Sequence, residues 1–273
     1  MVHGSIDAVG NRHRSVKPDL VYNIPAKLLD DTRWRHVIVR SLSAQELVQA
    51  VSAADKGRVR FLQLLTIDQE VSVLEGTLDD VPIEIVLADP NQFQLLYSLV
   101  TLLDTHPVRI AIPVVAGFNK ATKLALSLNF AVKLRVEQPD EQCLEELKSI
   151  LDLYLHRGFV HQPVEFFHTL LGSYYNDEVV SLWEIAEDDP ARVRYIGEDG
   201  EDLTLHTTAS LAQLRENREC NACEFFDRCQ GYFKWPHSSY SCSGIKEILG
   251  NLRTAADEVK QDLANYKTMG AGV

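Results

Sequence analysis

Four of the chain's five cysteines fall within 23 residues: Cys220, Cys223, Cys229 and Cys242, in the pattern C-x2-C-x5-C-x12-C. The fifth, Cys143, stands alone. A C-x2-C turn brings two thiolates to the same side of the backbone, and two further thiolates complete a four-coordinate set. Such a set holds tetrahedral zinc, with Zn–S about 2.3 Å, or an iron–sulfur cluster. The spacing leans away from zinc. Zinc ribbons and fingers pair two tight knuckles, and here only Cys220–Cys223 is tight. Reduced structural cysteines are the plain alternative. A redox C-x-x-C pair belongs at a strand-to-helix junction of a thioredoxin-like fold, which the segment does not offer. In a reducing compartment a clustered set reads as ligation before disulfide. Between the third and fourth cysteines lies Gly231-Tyr232-Phe233-Lys234-Trp235-Pro236. It reads as the small core a cysteine-rich module needs, ahead of a peptide pocket or a cover for a cluster.

Other chemistry is thinly supplied. There is no G-x-G-x-x-G after a strand, no G-x4-G-K-[ST], no H-E-x-x-H and no G-x-S-x-G. His156, His161 and His168 lie near Glu165, so a histidine–carboxylate metal site is conceivable, but histidines on an exposed helix surface are the better reading. Asn119 and Lys120 follow a buried strand at the edge where ligands gather in α/β folds. They are weak binding candidates against a plain helix start. Glu184, Glu187, Asp188 and Asp189 offer paired carboxylates for acid–base work, against the simpler reading of a charged loop.

The elements that must position these residues alternate. HVIVR (36–40) reads as a strand. SAQE (43–46) is a capping box that opens a helix to about residue 54. Residues 59–65 and 82–88 read as strands, and 70–75 as a weaker one. Asp89-Pro90-Asn91 opens a helix to about Leu103. VRIAIPVV (108–115) is a buried strand, and the turn 117–120 leads into a helix to about Leu128. Residues 130–137 form another strand. Asp140 starts a helix with Leu144, Leu147, Leu151 and Tyr154 on one stripe. The order from 36 to 157 predicts an α/β domain: a partial (β/α) barrel or an open, mostly parallel sheet. The segment around Phe166, Phe167, Tyr174 and Tyr175 is helical in its first half, 187–201 is a hairpin or linker, and 204–214 a short connection. A small Cys-rich metal-binding module and a C-terminal helix follow. That helix carries Ile245, Ile248, Leu249, Leu252, Ala256, Val259 and Leu263 on one face. The expected division is a flexible segment over 1–34, the α/β domain over 35–185 and the four-cysteine module with its closing helix over 186–273. The last few residues are expected to be loose.

The segment CNACEFFDRCQGYFKWPHSSYSC resembles the C-terminal SPASM-type module of radical SAM peptide maturases, enzymes that modify ribosomally made peptides. The stretch from Val108 to Leu151 looks like late strand–helix units of their partial barrel. The resemblance covers about residues 80–265 and is specific only at the cysteines. It implies that Cys220, Cys223, Cys229 and Cys242 bind one auxiliary [4Fe-4S] cluster, with Zn²⁺ as the alternative. The family's radical chemistry needs C-x3-C-x2-C, whose open iron binds S-adenosylmethionine, and this chain has no such triplet. The family's second auxiliary cluster uses a preceding cysteine pair, absent here, and a cysteine four places after Cys229, where this chain has Phe233. Cys143 lies too far upstream to replace them. The expectation is therefore an accessory protein that does not cleave S-adenosylmethionine. Its partners would be a ribosomal precursor peptide, a catalytic radical SAM subunit, or both. The alternatives are a zinc-stapled interaction module and a peptide-modifying enzyme using another metal site. Whether the chain is an enzyme is left open, since no catalytic motif is complete.

Bulk properties bound these readings. The chain has 273 residues, of which 45% are apolar and 24% charged, which is ordinary globular usage. That length suffices for a full core without disulfide staples. A net charge of −12 argues against nucleic acid as the main partner. No apolar run reaches a transmembrane length, and residues 1–18 lack the apolar core of a secretory signal. A cytoplasmic location without membrane contact is expected.

Overall fold

A computed structural model describes residues 20–52, 56–67, 70–76, 80–158, 160–204 and 218–270. The expectations for residues 1–18, for most of the 204–214 connection and for 271–273 lie outside the described residues. Seven strands form one sheet: β1 (Val21–Pro25), β2 (His36–Ser41), β3 (Val59–Leu64), β4 (Ile83–Val86), β5 (Val108–Pro113), β6 (Ala131–Arg135) and β7 (Val193–Tyr195). Their order is β6-β5-β4-β3-β2-β1-β7, and every pairing is parallel. Six strands advance one place at a time, and the seventh returns to the opposite edge beside β1. The sheet is an open half-barrel of the α/β class, as its alternating elements predict. It takes β1 from before residue 35 and β7 from after residue 185, so neither expected domain boundary coincides with an edge of the sheet.

Helix α1 (Ala44–Ser52) follows β2, α2 (Phe118–Ser127) follows β5 and α3 (Glu141–His156) follows β6. Then come α4 (Glu165–Tyr175), α5 (Leu182–Ile185), α6 (Arg218–Asn221), α7 (Phe226–Cys229) and the 28-residue α8 (Ser243–Gly270). Asp140 caps α3 by accepting the Cys143 N–H at 2.8 Å. The capping box on α1 is only half made. Ser43 Oγ accepts the Glu46 N–H at 3.4 Å, but the Glu46 carboxylate turns to Ser41 Oγ instead.

Two segments depart from expectation for one reason. Residues 90–104, expected as an α-helix, form a 3-10 helix with a kink at Gln92, and 71–74, expected within a strand, form a short 3-10 turn. The buried residues are Pro90, Leu96, Leu99 and Leu102, with Phe93 packed partly against the core, and Val71 with Leu74. They recur every three residues, which is the 3-10 period. Over so short a window that period passes for the α or β one.

The strands obey the two-residue period. One face carries Val37, Val39, Leu62, Leu64, Ile83, Ile85, Ile110, Ile112, Val132 and Leu134, all buried in the single core shared with the helices. The concave face carries Asn23, Arg40, Gln63, Glu84, Arg109 and Lys133. Register aligns four of these across the sheet, as Arg40↔Gln63, Gln63↔Glu84 and Glu84↔Arg109. The interior of the half-barrel is therefore polar. No described helix is long and apolar enough to cross a membrane.

Candidate metal centre

The cysteine module is a chain of tight turns. Cys220 lies in α6, and the Cys223 N–H donates to the Cys220 carbonyl at 3.0 Å, closing the C-x2-C turn. Cys229 ends α7. Gln230 and Gly231 then both take left-handed backbone conformations, with φ of 46° and 79°. This reversal, which glycine adopts readily, returns the chain so that the backbone N–H groups of Gly231 and Phe233 point at the Cys229 sulfur. Cys242 immediately precedes α8, and its carbonyl accepts the Lys246 N–H at 2.9 Å.

These turns bring Cys220, Cys223, Cys229 and Cys242 onto one small cavity of about 20 Å³, walled by Phe225, Phe233, Ile245 and Leu249. All four are free thiols. Burial pushes the thiols of Cys220, Cys229 and Cys242 up, that of Cys242 to about 11. The two backbone donors act the other way on Cys229, and the Lys234 ammonium does so on Cys220 and Cys242. Lys234 is only 4% exposed, and its Nζ donates to Glu219 Oε2 and to the Tyr240 carbonyl, each at 2.6 Å. Burial opposes its charge, but Glu219 and the neighbouring Cys242 and Cys220 hold its pKa above the usual lysine range. A buried cation and two N–H···S donors are what a negatively charged metal–thiolate centre needs around it.

The donor set fits a thiolate-ligated metal: four sulfurs against largely apolar walls, with the carboxylate on the lining, Glu219, held by Lys234. The sulfurs are not already closed around one ion. Among the described residues, no group of three or more His, Cys, Asp or Glu is arranged to hold a metal ion. A single zinc would draw four sulfurs to about 3.8 Å from one another, from the Zn–S length. A four-iron cluster holds its thiolates on a wider frame but needs more room than the cavity now encloses.

The module is locked onto the half-barrel. Gln138 donates from Nε2 to the Phe233 and His237 carbonyls at 3.0 and 2.8 Å, and Tyr240 Oη donates to the Pro139 carbonyl at 2.7 Å. Trp183 Nε1 donates to the Gln230 carbonyl at 3.3 Å, and its ring meets that of Tyr232 edge-on at 4.9 Å. Arg228 lies over Tyr174 at 4.1 Å.

A second polar cluster lines the concave face. Arg40 Nη1 donates to Asn23 Oδ1 (2.9 Å), Asn23 Nδ2 to Gln63 Oε1 (3.1 Å) and Gln63 Nε2 to Glu84 Oε1 (2.6 Å). Arg109 continues the row. It pairs with Glu84, with both oxygens of Glu165 at 2.9 Å, and with Glu187 at 3.1 Å. Lys133 Nζ donates to Glu187 Oε2 at 2.5 Å and lies 3.5 Å from Glu84 Oε2. That oxygen has ion-pair contacts but no well-directed hydrogen bond. Sequence reading misses this cluster, because isolated polar residues in apolar strands look incidental. The recoverable signal is that each strand from β2 to β6 carries a charged or amide side chain on the face opposite its buried apolar one.

The remaining candidates separate. Glu165 turns to Arg109. His168 Nδ1 lies 2.8 Å from Tyr154 Oη, and His156 Nδ1 lies 3.1 Å from Asp152 Oδ1, so the three histidines form no metal site. Asn119 and Lys120 sit in the first turn of α2, and Lys120 is exposed. Glu184 pairs with Arg192 at 2.5 Å, Asp189 caps the Ala191 N–H, Glu187 joins the interior cluster and Asp188 accepts from Tyr195 Oη at 2.9 Å. Cys143 is buried in the core, and burial first, then Asp140, pushes its thiol to about 11.

No family model, no curated protein and no solved structure matches this chain.

Proposed function

We propose that Cys220, Cys223, Cys229 and Cys242 hold one [4Fe-4S] cluster, and that the chain is an accessory protein in radical SAM-dependent maturation of a ribosomal peptide. The observation that carries the metal centre is the convergence of all four thiols on one apolar cavity beside the buried Lys234 ammonium. With every iron cysteine-ligated, such a cluster supplies electron relay or cross-linking rather than a site for substrate. Phe225, Phe233, Ile245 and Leu249 form the apolar wall beside the sulfurs, the Gly231 and Phe233 N–H groups favour the Cys229 thiolate, and Lys234 offsets the charge of the centre. The accessory role is supported by the missing C-x3-C-x2-C triplet together with a half-barrel whose interior charges are already paired with one another.

A zinc-stapled interaction module is the second reading, and the small volume of the cavity favours it. Anaerobic affinity capture of the tagged chain from its native host tests the accessory role. Recovery of a partner carrying the triplet, with the precursor peptide, is the expected result. A chain that is recovered metal-loaded and without such a partner removes the accessory role and leaves the metal centre standing.

A further inference from the structure

A cavity of about 490 Å³ opens at the C-terminal ends of the strands, between the half-barrel and the cysteine module. It is distinct from the thiol-lined cavity. Trp183 and Tyr232, both buried, and Tyr195 and Trp235, both half-buried, give it aromatic walls, and Glu137 and Asp188 are its acidic members. Glu137 has a cation already, Arg135 at 3.6 Å. Asp188 does not. Its carboxylate accepts only from Tyr195 Oη, and no ion pair reaches it among the described residues. The cations whose fields act on it are engaged elsewhere, Lys133 with Glu187 and Glu84, Arg135 with Glu137. Burial holds the Asp188 carboxyl above the usual carboxylate range. Among the described residues, nothing supplies a counter-ion to this carboxylate inside its aromatic-walled cavity.

We infer that this cavity binds an organic cation, an alkylammonium or guanidinium group, which pairs with Asp188 and lies against the aromatic walls. Ring faces attract such cations, more strongly once they are desolvated. The pocket does not depend on the identity of the metal. That the cation is a Lys or Arg side chain of a peptide, and not a free amine, rests on the proposed function.

Three probes test this on the full-length, metal-loaded protein: Nα-acetyl-lysine methylamide, its norleucine counterpart, and the pentapeptide Gly-Gly-Lys-Gly-Gly. Binding is followed by tryptophan fluorescence and by the Trp183 indole N–H shift. The lysine probe is expected to bind about tenfold tighter than norleucine. Asp188→Asn keeps an acceptor for Tyr195 Oη and is expected to erase that preference. Trp235→Leu is expected to weaken the lysine probe severalfold. Equal binding of lysine and norleucine, no binding, or a preference that survives Asp188→Asn overturns the inference. Binding of acetyl-lysine methylamide but not of the pentapeptide upholds the cation site and makes its ligand a small amine. Metal content, measured on the same samples, reports separately on the proposed function.

Discussion

Replacing Arg109 with Met removes the cation that Glu84, Glu165 and Glu187 share. Glu84 is 2% exposed, and its remaining partners are Lys133 at 3.5 Å and Gln63 at 2.6 Å. Breaking a buried ion pair from one side costs about 3–5 kcal/mol, since the abandoned charge has no water to turn to. For a chain of this size that is roughly a 6–20 °C fall in melting temperature, at about 2–4 °C per kcal/mol. The pH dependence is distinctive. In the parent, burial raises the Glu84 pKa, but Lys133, Arg109 and Gln63 together outweigh it and hold it below the usual range. Its contribution is then present above the unfolded pKa and lost as pH falls through the lower folded one. In Arg109→Met only Lys133 and Gln63 still oppose burial, and the folded pKa rises relative to the parent. Neutralising Glu84 then relieves the cost, so the gap between variant and parent is widest near pH 7 and narrows toward pH 5. Urea denaturation of Arg109→Met, Glu84→Gln and the double variant, followed by circular dichroism, measures each step. The double variant is expected to recover much of the loss. A cost under about 1 kcal/mol, within the range of exposed pairs, or a double variant no more stable than Arg109→Met, refutes the reasoning.

Cys223→Ala is expected to lose the metal and destabilise the module, because ligation free energy is also folding free energy; Cys143→Ala, outside the site, keeps full metal content by elemental analysis. Lys234→Met is expected to shorten metal retention against a chelator by roughly 10-fold or more, the usual effect of removing an outer-shell partner. Asp188→Asn raises the melting temperature of the ligand-free protein at pH 7. A carboxyl raised by burial contributes stability below its unfolded pKa and loses it as pH rises through the folded one, so the advantage of Asn fades toward pH 3 in a thermal series. Gly117→Ala costs about 1–3 kcal/mol in denaturant titration, because φ is +93° there and a Cβ would stand 2.5 Å from Asn91 Oδ1.

The sequence made the cysteine module and most of the sheet legible. Four thiols in 23 residues need no periodicity to be noticed, and HVIVR or VRIAIPVV carries a buried strand in its own composition. Curvature was not legible. A two-residue period says which residues share a face but not whether the sheet closes on them, so a half-barrel and an open sheet read alike. β1 escaped because VYNIP is broken by Asn23 and ends on a proline, and β7 because three residues lie within a run rich in Asp, Glu and Gly. The interior cluster escaped for a different reason. Arg40, Gln63, Glu84 and Arg109 each look like an interruption in an apolar strand, and only strand register reveals them as a row, with Lys133 one pairing step further on the same face. Asp188 reads as part of an acidic run, but its separation from Glu184, Glu187 and Asp189 depends on where Tyr195 stands.

The metal and acid-labile sulfide content of protein made and purified without oxygen tests the central claim most directly. The account predicts about four irons and four sulfides per chain, with the broad visible absorption of a thiolate-ligated cubane, all lost in Cys223→Ala. One zinc and no sulfide contradicts the cluster and turns the module into a staple. Protein that is folded, colourless and free of metal contradicts the four-thiolate centre itself.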